Sequence, residues 1–178
     1  MDLKAFADDF YRMQAGGRLD PVLDTLQYLV RETETWVEIT TLLIPGLNDG
    51  EDELRRLSDW LVGTLGPNIP LHLSAFHPDF KLRDRPRTPA ATLRRARAIA
   101  RAAGLRHVYT GNVHDPEGDA SICHGCGEVV IQRDWYELQR WRLDEAGCCR
   151  GCGTRLPGRI DGAPGTWGRR RQPVRIGR

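Results

Sequence analysis

This chain of 178 residues lacks long apolar runs and a secretion signal. No stretch approaches the roughly 20 apolar residues of a membrane-spanning helix, and Met1-Asp2-Leu3-Lys4 does not resemble the start of a signal peptide. We therefore expect a cytoplasmic protein with no membrane partner. The hydrophobic content of 40% and charged content of 28% are ordinary for a globular protein. The length allows one domain and a small appended module.

Lysine is nearly absent, and the charge is unevenly distributed. Of 26 basic residues only Lys4 and Lys81 are lysines, so each is a candidate for a specific role. Residues 163–178 contain five arginines and no acidic residue, so a chain of net charge +2 carries −3 elsewhere. A basic tail could contact nucleic acid or another acidic surface. Because a single aromatic residue, Trp167, accompanies the arginines, we expect a solvated or locally docked tail instead.

Cysteine is scarce but has the clearest pattern, because four of the five cysteines form two C-x2-C pairs. Cys123 pairs with Cys126, Cys149 pairs with Cys152, and 22 residues separate the pairs. This spacing allows four thiolates to bind one Zn²⁺ tetrahedrally. A glycine follows each pair, where a metal-binding knuckle turns tightly. With no secretion signal, reduced thiols are expected. The sequence therefore predicts a zinc-ribbon-like module over residues 123–162.

Two questions about this module stay open at the level of sequence. Four thiolates also accept iron, so a rubredoxin-like electron-transfer site is an alternative, although the long insert between the pairs favours zinc. Cys148 is the extra cysteine, either inert or able to exchange with Cys149 as a ligand. A closed four-sulfur site has no open position for a substrate. Function is therefore expected in the residues before Cys123.

Apolar patterns of strand and helix type alternate before the cysteines. Strands are expected near residues 1–6, 36–44, 70–76 and 106–110, and helices near 20–33, 51–65 and 89–103. This alternation predicts βαβ units, and hence an α/β fold with a parallel sheet over residues 1–110. Lys4, Pro45-Gly46 and His77 follow predicted strands, at the carboxyl ends where reactive residues gather in such sheets. The polar segment 111–122 is predicted to be a linker.

Several short motifs occur in an order found in one enzyme family. They are Asp2-Leu3-Lys4, Ile44-Pro45-Gly46, Phe76-His77, Tyr109-Thr-Gly-Asn-Val-His-Asp115, the two cysteine pairs and Gly165-Thr-Trp-Gly168. In these motifs the chain resembles radical S-adenosylmethionine (SAM) enzymes of the AmmeMemoRadiSam-system type, which are similar to pyruvate formate-lyase activating enzymes. The resemblance implies the C-terminal part of a partial (β/α) radical SAM barrel with parallel strands, followed by the small zinc-ribbon-like module.

The same resemblance implies that Asp2, Lys4 and His77 bind SAM. The chemistry is compatible, because a lysine ammonium can pair with the SAM carboxylate, and Asp or His can bond the ribose hydroxyls. The alternatives are a solvated terminus for Lys4 and an ordinary loop position for His77. His114 and Asp115 are candidates for a substrate-side role or for parts of a linker turn.

One motif that the family requires is missing. Radical SAM enzymes reduce SAM with a four-iron four-sulfur (4Fe-4S) cluster held by C-x3-C-x2-C, and no three cysteines here have that spacing. The family's glycine-rich methionine-binding segment before D-L-K is absent too. Met1 stands where the family usually has valine, and a valine codon also serves as a bacterial start codon. We therefore expect a reading frame opened inside a longer gene, with the N-terminal half supplied by that gene or by a separate chain.

The sequence thus predicts the C-terminal portion of a radical SAM enzyme of unknown substrate that is inactive alone. The complete enzyme would use SAM and a 4Fe-4S cluster in addition to the structural zinc. Its expected partners are the missing N-terminal half and proteins of the AmmeMemoRadiSam system. The alternative is a non-catalytic zinc-binding protein whose basic tail binds nucleic acid or a protein. A first strand left at the sheet edge would promote aggregation or pairing with a partner.

Overall fold

The structure is a computed structural model that describes residues 1–160, 162–165 and 168. Two residues of the Gly165–Gly168 motif, Thr166 and Trp167, lie outside the described residues. So do the arginines on which the basic tail was predicted: Arg169, Arg170, Arg171, Arg175 and Arg178. No helix in the described part of the chain is long and apolar enough to cross a membrane.

The chain divides into two compact units, Met1–Gly118 and Asp119–Arg178. The division falls inside the segment predicted to be a linker, and both ends of that segment belong to strands. Two of its polar side chains are satisfied within the first unit: the buried Asp115 carboxylate accepts a hydrogen bond of 3.0 Å from the Thr110 hydroxyl, and the Asn112 side-chain amide donates one of 3.2 Å to the Ala75 carbonyl. A polar composition therefore does not distinguish a linker from a folded segment whose polar groups are hydrogen-bonded.

The first unit alternates helices and strands, as the apolar patterns predict. Its elements are α1 (Asp8–Phe10, continued by a π-helical turn over Tyr11–Ala15), α2 (Asp20–Glu32), β1 (Ile39–Leu43), α3 (Glu51–Trp60, continued by a π-helical turn over Leu61–Leu65), β2 (Leu71–Ala75), α4 (Ala90–Ala102) and β3 (Val108–Gly111). The longer helices begin at the expected signals, with Pro21 in the first turn of α2, three acidic residues in the first turn of α3 and Pro89 before α4.

β1, β2 and β3 form a parallel sheet in that order, with Thr40 opposite His72 and His72 opposite Tyr109. The N-terminal segment, residues 1–5, lies parallel to β1 and adds a fourth segment beside it, at the edge of the sheet. The Leu3 amide donates to the Thr40 carbonyl at 3.0 Å, and the Thr40 amide donates to the Met1 carbonyl at 2.9 Å. The predicted α/β architecture with parallel strands is confirmed, with the N-terminal segment at the sheet edge.

Tyr11 covers part of that edge. Its phenol oxygen accepts a hydrogen bond of 3.0 Å from the Lys4 amide, and its side chain is buried. Burial raises the pKa of the Tyr11 phenol, so this group stays protonated throughout the physiological pH range. The hydroxyl is therefore a permanent neutral partner for the backbone at Lys4.

The helices of the first unit cover one face of the sheet. Every second strand residue is buried against apolar helix residues, as the period of two in a strand requires. The buried set comprises Ile39, Leu43, Leu71, Leu73, Ala75 and Val108, packed in one cluster with Leu54, Leu57, Leu61, Leu93, Ala96 and Ala100. The intervening residues, including Leu42, His72 and Tyr109, stay partly or fully exposed. Within the first unit, the helices therefore leave the opposite face of the sheet uncovered.

The second unit contains an antiparallel sheet and the cysteine pairs. Its strands are β4 (Ala120–Ile122), β5 (Val129–Asp134) and β6 (Glu137–Trp141), in that order. Its small core lies around β5, with Val130 and Ile131 buried beside two of the cysteines. A turn of two residues, Trp135-Tyr136, joins β5 to β6.

The turn between β5 and β6 has an unfavourable residue at its first position. Trp135 has a φ of 54°, in the left-handed region that bulky side chains rarely adopt, and its side chain is 54% exposed. We expect Trp135→Gly to raise the free energy of unfolding of the metal-loaded unit by about 1 kcal/mol, because glycine adopts positive φ without strain. Thermal denaturation measures this effect.

Tyr136→Gly is the matched control for that substitution. Tyr136 is 81% exposed but does not have a positive φ, so glycine there should give no stabilisation and a small loss from added chain entropy. A lower melting temperature for Trp135→Gly than for Tyr136→Gly would contradict the prediction and would indicate that the indole contributes packing.

Candidate metal centre and strand-end residues

The structure brings together the four cysteines that the sequence predicts as ligands. The sulfur atoms of Cys123, Cys126, Cys149 and Cys152 all lie within 4.8 Å of one another. Cys123 Sγ is 3.5 Å from Cys152 Sγ, and Cys126 Sγ is 3.8 Å from Cys149 Sγ. Sulfur atoms in a tetrahedral site with Zn–S bonds of about 2.3 Å lie about 3.8 Å apart. The donor set and its spacing therefore fit a tetrahedral metal ion such as zinc.

Each cysteine pair forms the same knuckle. The amide of Gly125 donates to Cys123 Sγ, and the amide of Gly151 donates to Cys149 Sγ, both at 3.4 Å. The turn closes when the amides of Gly127 and Gly153 donate to the carbonyls of Cys123 and Cys149, both at 2.8 Å. Gly127 and Gly153 have φ values of 78° and 75°, which glycine adopts without strain. The glycine after each pair is thus required by the backbone turn, as the sequence predicts.

The two knuckles expose one ligand each. Cys123 and Cys149 are buried, whereas Cys126 and Cys152 are exposed. Solvent can therefore reach the second cysteine of each pair, while the first belongs to the core. Cys148 is half-buried and is not among the four clustered sulfurs.

The thiols differ in acidity when no metal is bound. Hydrogen bonds from the hydroxyl and the amide of Thr154 lower the pKa of Cys152 to about 6. The amide of Glu128 lowers the pKa of Cys126, but hydrogen bonding to Cys152 and desolvation outweigh this effect and raise that pKa to about 12. A metal must displace the protons of the more basic thiols when it binds, so metal uptake releases protons.

The three residues that the resemblance assigns to SAM binding are exposed and lie in the first unit. Asp2 and Lys4 are brought together, with 3.2 Å between the Lys4 ammonium and the Asp2 carboxylate. His77 follows β2, and its Nδ1 lies 3.0 Å from the Pro78 carbonyl oxygen. β1 lies between the N-terminal segment and β2, so the strands that carry the two groups are two strand spacings apart, about 10 Å sideways. Asp2 is level with His72, so His77 also lies further along the strand direction.

Asn48 fixes the position of Lys4 and was not predicted from the sequence. Its side chain is buried and donates hydrogen bonds to the carbonyls of Lys4 at 2.6 Å and Leu42 at 2.9 Å. Its amide oxygen accepts a bond of 2.7 Å from the Ile44 amide. Asn48 therefore ties the end of the N-terminal segment to the end of β1. An asparagine shortly after Pro45-Gly46 is the only signal that the sequence offers.

Asp115 and His114 have different surroundings. The buried Asp115 carboxylate accepts the Thr110 hydroxyl and lies 3.4 Å from the Arg94 guanidinium. These contacts fit the linker-turn alternative for Asp115, because its carboxylate is occupied within the first unit. His114 instead lines an open cavity of 330 Å³ with Arg87, Thr88 and the start of α4.

The chain is similar to a known protein over most of its length. No protein-family model matches the chain. The chain is 40% identical over 157 residues to the uncharacterized protein MJ0808 of Methanocaldococcus jannaschii. The match covers 88% of this chain and 46% of that protein, so the chain spans about half the length of the curated relative that it matches.

Proposed function

We propose that this chain is the C-terminal portion of a radical SAM enzyme of the AmmeMemoRadiSam-system type, inactive alone. The observation that carries the proposal is the sheet of the first unit. Its strands are parallel, its helices cover one face only, and Asp2 and Lys4 meet at its edge. A barrel wall has this organisation, because its helices form an outer ring on one face of the sheet and its functional residues lie at the carboxyl ends of the strands.

The residues assigned to SAM have suitable chemistry for that ligand. Lys4 has an exposed ammonium that a carboxylate can pair with, and the exposed Asp2 and His77 side chains can bond hydroxyls. The N-terminal segment and β2 are two strand spacings apart, about 10 Å sideways, with His77 further along the strand direction, so the ligand would have to be an extended one. In this proposal Lys4 holds the amino-acid end of SAM, and His77 contacts the part of SAM that reaches the end of β2.

The chain itself does not provide the 4Fe-4S cluster. Its four clustered cysteines belong to the metal module, and no cysteine triplet has the C-x3-C-x2-C spacing. A cluster would therefore have to come from an N-terminal half, as part of the same polypeptide or as a separate chain. MJ0808 supports this proposal indirectly, because more than half of its length lies outside the region that matches this chain.

The test is SAM binding by the chain with and without a supplied half. Equilibrium dialysis with radiolabelled SAM would compare the chain alone with the chain coexpressed with the unmatched part of MJ0808. We expect retention of SAM only in the coexpressed sample. Lys4→Met should weaken that binding by about 10-fold to 100-fold, because it removes a charge-assisted contact.

Lys81→Met is the matched control, since Lys81 is the other lysine of the chain and lies on an exposed turn over Phe80. It should leave SAM binding unchanged. Equal losses for both lysine variants, or no SAM retained in a folded coexpressed complex, would reject the proposal. Salt-sensitive retention of RNA or DNA by the chain alone would instead favour the non-catalytic zinc-binding alternative.

A further inference from the structure

The two knuckles are copies of one six-residue pattern, C-x-G-C-G-x, spanning residues 123–128 and 149–154. The sixth residue is Glu128 in the first copy and Thr154 in the second. In each copy its carbonyl accepts a hydrogen bond of 2.8 Å from the amide of the first cysteine. The backbone roles of Glu128 and Thr154 are therefore identical, and only their side chains distinguish the two halves of the site.

Both side chains cross to the opposite knuckle and lie over its central glycine. A Cβ atom on Gly125 would be 2.2 Å from Thr154 Oγ1, and a Cβ atom on Gly151 would be 2.5 Å from Glu128 Oε2. Neither glycine has a positive φ, so the backbone alone does not require glycine at these positions. The glycine inside each pair instead makes room for the sixth residue of the other copy.

The two crossing side chains act in opposite ways on the cysteine sulfurs, because one donates a hydrogen bond and the other brings a negative charge. Thr154 Oγ1 lies 3.2 Å from Cys152 Sγ, and a metal-bound thiolate has no proton, so the hydroxyl must be the donor there. The Glu128 carboxylate lies 3.9 Å from Cys149 Sγ and can donate nothing when ionised. Its charge is balanced by Arg142, whose Nε is 2.6 Å from Glu128 Oε1.

We propose that Thr154 and the Glu128–Arg142 pair are positioning residues that set how long the metal stays bound. Thr154 holds the exposed ligand Cys152 on the metal by donating a hydrogen bond from its hydroxyl to the thiolate. Arg142 prevents the Glu128 carboxylate from repelling the thiolate of Cys149. Hydrogen bonds and charges next to metal ligands commonly change metal affinity by about 10-fold to 100-fold.

Two substitutions at position 154 separate the hydroxyl from the shape of the side chain. Thr154→Val keeps the branched shape over Gly125 but removes the donor, whereas Thr154→Ser keeps the donor and removes a methyl group. The full chain would be loaded with Co²⁺ as the probe, and its absorption spectrum would verify tetrahedral sulfur coordination in each variant. Release of Co²⁺ to excess EDTA is then timed by the loss of the sulfur-to-cobalt band.

We expect Thr154→Val to release Co²⁺ about 10 times faster than the unchanged chain, and Thr154→Ser to stay within about twofold. Iodoacetamide labelling of the loaded protein should also modify Cys152 faster in the valine variant, with Cys126 little changed. Equal release rates for all three proteins would overturn the role of Thr154. So would a serine variant as fast as the valine variant, since packing rather than the hydroxyl would then be responsible.

A second pair of variants tests the charged half of the site. Arg142→Gln should speed the release of Co²⁺ several-fold, because it leaves the Glu128 carboxylate unbalanced beside Cys149. Adding Glu128→Gln to that variant should restore the rate to within about twofold of the unchanged chain. A double variant as fast as Arg142→Gln alone would overturn the role assigned to this pair, because the carboxylate would then not be the cause.

Discussion

Chelation of the bound metal is expected to unfold the second unit while the first unit stays folded. Among the described residues of the second unit, the core cluster has six buried members, two of which are candidate metal ligands: Cys123, Val130, Ile131, Leu143, Cys149 and Leu156. Structural Zn²⁺ contributes about 10–16 kcal/mol to the folding of small metal modules. A core this small cannot replace that contribution once the metal is removed.

Limited trypsin digestion of the full chain, analysed by mass spectrometry, measures this prediction. After chelation, cleavage at five arginines between β5 and the end of the second cysteine pair's turn should accelerate by at least 100-fold: Arg133, Arg140, Arg142, Arg150 and Arg155. Cleavage within α2 and α4 should not change. Cys123→Ser should reproduce the effect without a chelator, whereas Cys148→Ser should not. Continued protection of the second unit after complete metal removal would show that its small core is sufficient.

Asn48→Ala is expected to lower the free energy of unfolding of the first unit by about 3 kcal/mol. The substitution removes three hydrogen bonds from a side chain that is only 2% exposed. It also leaves the Ile44 amide and the carbonyl of Lys4 with no equivalent partner in a partly buried site. Urea denaturation of the metal-loaded chain, followed by hydrogen exchange in β1, measures the loss.

Two further asparagine variants test whether the loss of stability comes from the hydrogen bonds of Asn48. Asn48→Asp keeps the acceptor for Ile44 but points a carboxylate at two carbonyl oxygens, so it should destabilise at least as much as alanine at neutral pH. Asn68 is exposed and only accepts a bond from Arg106, so Asn68→Ala should cost less than about 0.5 kcal/mol. A loss below 1 kcal/mol for Asn48→Ala would mean that the strand ends do not depend on this side chain.

The four-cysteine cluster could be predicted residue by residue because each cysteine pair is recognisable from a few neighbouring residues. Two cysteines three positions apart, followed by glycine, define a knuckle without reference to the rest of the chain. The longer helices and the strands of the first sheet were predictable for a similar reason, since apolar periodicity and helix-start signals lie within each element. The boundaries differ by a few residues, as for β1, which begins at Ile39 instead of near residue 36.

Features that depend on contacts distant in sequence could not be predicted. The bond from Asn48 to Lys4 joins residues 44 positions apart, and no local pattern encodes such a pairing. The side chains of Glu128 and Thr154 cross between knuckles, which requires knowledge of how the two copies face each other. The short helix α1 has too few residues for a periodic signal, and a π-helical turn follows it directly.

The phenol of Tyr11 limits how the sheet can grow. An edge strand normally exposes a row of unpaired backbone N–H and C=O groups, and another chain can pair with these groups. The backbone amide of Lys4 already donates a hydrogen bond to the Tyr11 phenol. The raised pKa of that phenol keeps it protonated through the physiological pH range, so this hydrogen bond does not change with pH there. A strand joining this edge, whether in a proper assembly or in an aggregate, must therefore pair before Lys4 or displace Tyr11 from the core. The fold thus restricts both the register and the length of any such addition.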